Sequence, residues 1–190
     1  MSPDFANGAI TAAFSYAFNE LAHRSRDIVP DDDRLREMQD HAYGILERPA
    51  GADGVKELSF GELGVVMDYS AAYLDARSQA RGGYMNLSGE EFGTELYKHG
   101  DSIFFGPESL GGFGGTQFRF VGAPRGLQGV HYGGDINYFY QGFMQAARGN
   151  SLRGVHDTVI PWNVSQGNFS RIPQRLTWAT FGYDYYRSRP

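Results

Sequence analysis

Charge and residue type change character partway along the chain, and that change constrains the fold more than any single motif. Residues 1–106 carry 9 Lys and Arg against 18 Asp and Glu, whereas residues 107–190 carry 8 Arg, no Lys and 4 carboxylates. The second segment also holds 15 of the 28 aromatic residues. The first stretch is acidic and reads as helical, while the second is cationic, aromatic and rich in glycine. Glycine makes up 26 of the 190 residues, about twice its usual ~7% share, which predicts many turns and close backbone approaches. Arginine interleaved with aromatic rings suits phosphate contact and base stacking. The formal charge of −5 argues against indiscriminate polyanion binding but leaves room for a local basic cleft.

Absent residue types narrow the chemistry. The chain has no Cys, which removes disulfides, thiolate nucleophiles and Cys-ligated zinc. No apolar run approaches the ~18 residues that a membrane span needs. No HExxH, GxSxG or EF-hand pattern occurs. Gly111–Gly115 lacks the Lys-Ser/Thr that a phosphate-binding loop requires. No cofactor is expected.

Helical signals dominate the first segment. Leu35, Met38, Ala42, Ile45 and Leu46 trace one face that ends before Pro49. Ser59 with Glu62, and Ser88 with Glu91, are capping boxes, each flanked by a hydrophobic staple: Leu58 with Leu63, and Leu87 with Phe92. The first helix is expected to run to about Ala80, with Leu63, Met67, Ser70 and Leu74 on its stripe. The second is expected to stop at Gly100. Ser102–Phe105 and Thr116–Val121 read as strands joined by the Gly111–Gly115 loop in a hairpin. Asn137–Arg148 reads as a helix capped by Asp135 or Asn137 and closed by Gly149, and a last helix begins at Pro173. The expected fold is α+β, with helices first, then a small antiparallel sheet and further helices.

The opening Phe5-Ala6-Asn7-Gly8-Ala9-Ile10-Thr11-Ala12-Ala13-Phe14-Ser15-Tyr16-Ala17-Phe18-Asn19 has large apolar groups four residues apart and no secretory-signal pattern. It resembles the pre-toxin segment of RHS-repeat polymorphic toxins, with Ala12 where that family often has Gly. The match covers about 15 residues and concerns context, since everything downstream varies between members. It implies that residues 1–27 are a junction next to the RHS core and residues 28–190 a C-terminal toxin domain, with Met1 an added start. It also implies an antibacterial effector that is secreted or translocated into a competing cell, often by a type VI secretion system. Its implied partners are the RHS cage of the parent chain, the secretion apparatus and a cognate immunity protein. Asp31-Asp32-Asp33 would follow the junction as the acidic start of a helix.

Two histidines in the cationic segment carry the expected chemistry. Leu127-Gln128-Gly129-Val130-His131 is echoed by Leu152-Arg153-Gly154-Val155-His156. Two facing imidazoles act as general base and general acid in metal-independent RNA cleavage, with Arg125, Arg148 or Arg153 stabilising charge on phosphorus. The candidate catalytic set is His131, His156, Asp135 and Arg153, and RNA is a candidate partner. The pair is similar to that of EndoU-like ribonucleases, but both lysines of the chain, Lys56 and Lys98, lie upstream of it, so no residue is carried over from that family. The alternatives are a peptidoglycan hydrolase centred on Asp135 and His131, an ADP-ribosyltransferase using Glu108 and Ser109, and a non-catalytic toxin that binds and blocks a protein. Glu62, Glu90, Glu91 and Glu95 are read as solvated helix-face residues rather than glycosidase carboxylates.

Overall fold

Residues 33–100, 103–104 and 112–189 are described by a computed structural model. The junction segment Phe5–Asn19, Asp31, Asp32, Glu108, Ser109 and Gly111 lie outside the described residues.

Helix α1 (Asp33–Leu46) buries Leu35, Ala42, Ile45 and Leu46, the expected face, against the following helix. Strand β1 (Lys56–Ser59) leads directly into α2 (Phe60–Arg77). Both hydrogen bonds of the first capping box form: Glu62 N donates to Ser59 Oγ at 3.2 Å, and Ser59 N donates to Glu62 Oε2 at 2.8 Å. The Arg48 guanidinium beside Glu62, helped by the Ser59 amide, lowers the Glu62 carboxyl to about 2. Leu63, Met67, Ser70 and Leu74 are buried as the stripe predicts. The helix ends at Arg77, sooner than expected, and the chain turns through Gly82 and Gly83 at positive φ. Helix α3 (Gly89–Gly100) forms on the second capping box, with Ser88 and Glu91 bonded reciprocally and Leu87 and Phe92 buried.

The fold is α+β, as expected, but the sheet is mixed. Strand β2 (Gln117–Val121) lies between β1, its parallel neighbour, and β3 (Val130–Tyr132), its antiparallel one. The expected hairpin is not formed. Of Ser102–Phe105, the two described residues, Ile103 and Phe104, are helical and buried, and Ile103 O accepts a hydrogen bond from Phe113 N. The strand that pairs with β2 comes instead from ahead of α2, and α2 and α3 lie in the crossover that a parallel pair requires. Leu58, Phe118, Phe120 and His131 point into the core, whereas Val121, Val130 and Tyr132 are exposed.

Three helices complete the chain: α4 (Gly133–Ala147), α5 (Leu152–Ser165) and α6 (Ile172–Arg187). Helix α4 starts ahead of the expected Asn137. Asp135 is its third residue, and its carboxylate accepts the Tyr132 N–H at 3.1 Å. Gly149, at φ +83°, closes the turn after it, as expected. Helix α5 was not evident in the sequence, because Gly154 and Pro161 interrupt it. Ser151 caps it by accepting the Gly154 N–H at 3.2 Å. Pro sits in the first turn of α6.

Helices α4 and α6 run in the same direction, with Tyr138 beside Arg175, Gly142 beside Ala179, and Phe143 beside Tyr186. Their backbones nearly touch. A Cβ on Gly142 would stand 1.8 Å from Ala179 O, and one on Gly182 would stand 1.9 Å from Phe139 O. Glycine is required here by space rather than by backbone angle. Trp178 is buried beside this contact, between Phe120, His131 and Phe139.

Candidate functional site

The four expected site residues fall into two groups separated by α6. The pairing of Phe118 with His131 turns the His131 ring inward from β3, where it meets the Trp178 ring edge-on at 4.8 Å. His156, on α5, instead reaches Thr180, with Nε2 3.0 Å from Oγ1. Trp178 and Thr180 are two residues apart on one helix, so their side chains point to opposite sides, about 200° apart. The two imidazoles therefore do not share a groove. The sequence echo is not a structural repeat either: residues 127–131 form a turn and a strand, and residues 152–156 form the start of α5.

His131 and Asp135 do come together, because the strand-to-helix junction places them one turn apart, with Nδ1 3.8 Å from Oδ2. The His131 Nε2 lies 3.2 Å from Leu127 O. The residue is buried, and only Nε2 has a hydrogen-bond partner; Nδ1 lies within ion-pair range of Asp135 but makes no hydrogen bond among the described residues. This arrangement holds β3 against α4 and presents no ring nitrogen to solvent.

His156 and Arg153 form the second group. They lie three residues apart on α5, hence on neighbouring parts of one face. The Arg153 side chain is 91% exposed, and its ion pair with Asp157, at 3.8 Å between exposed groups, is weak. Thr180 anchors one nitrogen of His156, and the other, Nδ1, makes no hydrogen bond among the described residues. Such a ring is held in one orientation and is half-buried.

The arginines of the cationic segment do not line one cleft. Arg119 pairs with Asp53 at 2.8 Å, Arg148 lies over the Phe92 ring and reaches Leu87 O and Ser88 O, and Arg189 pairs with Asp68 over Phe143 and Tyr185. Arg125 is exposed in the turn before β3. The glycosidase carboxylates are accounted for structurally: Glu62 and Glu91 complete caps, Glu95 pairs with Arg77 and Lys98, and Glu90 is exposed.

One polar network escaped the sequence reading. Tyr138 donates to Asn163 Oδ1 at 3.2 Å, and Arg175 donates to the same oxygen while its guanidinium lies 5.0 Å from the centre of the Tyr138 ring. Burial raises the Tyr138 hydroxyl above the ordinary phenol range, against the opposing pull of the Arg175 charge. Tyr138, Asn163 and Arg175 come from three helices, so no local spacing announces them. Elsewhere, a surface cavity of about 610 Å³ lies between α1 and the start of α2, lined in part by Asp40, His41, Arg48 and Glu62. The Arg48–Glu62 ion pair neutralises its guanidinium. Among the described residues no His, Asp and Glu cluster is able to hold a metal, and no helix is long and apolar enough to cross a membrane.

No family model matches the chain, and no curated protein or solved structure does.

Proposed function

We propose that residues 28–190 are the toxin domain of an RHS-type effector that cleaves RNA without a metal, with His156 as the acting imidazole and Arg153 as its charged partner. The resemblance of Phe5–Asn19 to the pre-toxin segment supports the effector context. The observation that carries the activity is the pairing, on one face of α5, of an exposed guanidinium with an imidazole whose ring is held by Thr180. In this reading His156 takes the proton of a ribose 2′-hydroxyl as the 2′-oxygen bonds to phosphorus. The P–O5′ bond breaks, the leaving oxygen takes a proton from water, and a 2′,3′-cyclic phosphate and a 5′-hydroxyl result. Arg153 offsets the charge that gathers on the phosphoryl oxygens. His131 and Asp135 are positioning residues that hold the β3–α4 junction.

The test is RNA degradation by the purified chain in chelator. His156→Ala is expected to slow cleavage by about 10²–10⁴-fold, the usual contribution of a general base, with an unchanged melting temperature. His131→Ala is expected to lower the melting temperature first. RNA left whole by a protein that is toxic in the cytoplasm sinks the reading.

A further inference from the structure

The turn between α5 and α6 combines three features. Phe169 is 63% exposed, the most exposed large apolar side chain described. Arg171, two residues on, is exposed, and its guanidinium makes no ion pair or hydrogen bond among the described residues. No Asp or Glu occurs anywhere from residue 158 to residue 183. Gln166 before it and Gln174 after it are also exposed.

The backbone presents Phe169 deliberately. Gly167, at φ +68°, turns the chain out of α5, and Asn168 N bonds back to Asn163 O at 2.9 Å. Phe169, Ser170 and Arg171 then form one tight helical turn, and both Phe169 and Arg171 are exposed on it. Asn163 is itself buried and gripped by Tyr138 and Arg175, so the turn rests on a rigid polar base.

We infer that this turn is a binding platform for single-stranded RNA, with Phe169 stacking on an unpaired base and Arg171 meeting the adjacent phosphate. A flat exposed ring two residues from an exposed cation, in a stretch without carboxylates, suits a ligand that is anionic and has π-faces. The inference rests on the RNA reading, for it names how that substrate is held. The platform follows directly on the helix that carries His156, whose last residue, Ser165, lies about 14 Å along the axis from His156 at ~1.5 Å per residue, a span of a few nucleotides.

The experiment measures binding of a short labelled 2′-O-methyl oligouridine to the full chain, since a blocked 2′-oxygen prevents cleavage. Phe169→Ala is expected to weaken binding about tenfold or more, and Phe169→Tyr to preserve it. Arg171→Gln is expected to reduce the slope of log affinity against log salt by about 0.7, one phosphate on a single strand. Unchanged binding by Phe169→Ala overturns the inference, as does capture of the chain by vesicles of anionic phospholipid when the oligomer does not bind. Failure of the two readings is separable. RNA cleavage with normal binding by Phe169→Ala removes the platform alone, whereas platform-dependent binding without any RNA cleavage removes the ribonuclease alone.

Discussion

The first three helices and the last three are built on different principles. Helices α1 to α3 are each specified locally, by caps at Ser59 and Ser88, by apolar stripes, and by ion pairs across short sequence distances such as Arg36 with Asp33 at 3.0 Å. Helices α4 to α6 depend on one another: Gly142 and Gly182 have no role except where the α4 and α6 backbones meet. Local specification tolerates change, because losing a cap costs one terminal interaction. Mutual specification does not, because a single methyl group separates two helices along their length.

Glycine substitution offers the sharpest break of this comparison. Gly142→Ala forces a methyl group to within 1.8 Å of Ala179 O. A loss of several kcal/mol is expected, or failure to fold, since overpacking of ordinary sites already costs ~1–3 kcal/mol. A urea denaturation midpoint unchanged from wild type would show that α4 and α6 do not touch.

The next largest effect concerns a buried histidine that the function does not use. His99, at the end of α3, stacks on Tyr73 with ring centres 4.6 Å apart and meets Tyr69 and Tyr140 edge-on. Burial, aided by the nearby Arg77 charge, lowers its imidazole from 6.5 to about 3. In the folded chain it therefore stays neutral while the unfolded chain takes up a proton. Its contribution is intact above pH 6.5 and is lost as pH falls from 6.5 towards 3, by up to roughly 5 kcal/mol. His99→Phe is expected to flatten the dependence of stability on pH between 6.5 and 5. Carboxylates such as Glu62 titrate below that window. An equally steep profile in the variant would contradict the assignment.

The smallest effects fall in the first three helices. Ser59→Ala removes a cap and is expected to cost about 1 kcal/mol. Gly44→Ala, on α1, meets nothing within 4 Å and is expected to gain roughly 0.5–1 kcal/mol. Thermal melts of these two variants, shifted in opposite directions by small amounts, would set the scale against which Gly142→Ala is read.

The same division explains what was legible in advance. Both capping boxes, the Leu63–Leu74 stripe, the turn at Gly149 and the Pro at the start of α6 lie in contiguous residues, and each was readable without tertiary information. Strand β1 was not, because four residues with one buried side chain, Leu58, carry no period. Helix α5 was hidden by Gly154 and Pro161, and its stability comes from Val155 and Val159 packing into the core. The site followed suit. His131 with Asp135, four residues apart, came together, while His131 with His156 did not. A glycine before each histidine says nothing about which side of α6 the ring will occupy.

What the chain determined unaided was its α+β class, the positions of most of its helices, and the change from acidic to cationic character. These depend on hydrogen bonds and charges among near neighbours. Sheet order, the parallel contact of α4 with α6, and the separation of the two imidazoles were decided only on folding. Each depends on which distant surfaces exclude water together, and burial has no preferred direction along a sequence.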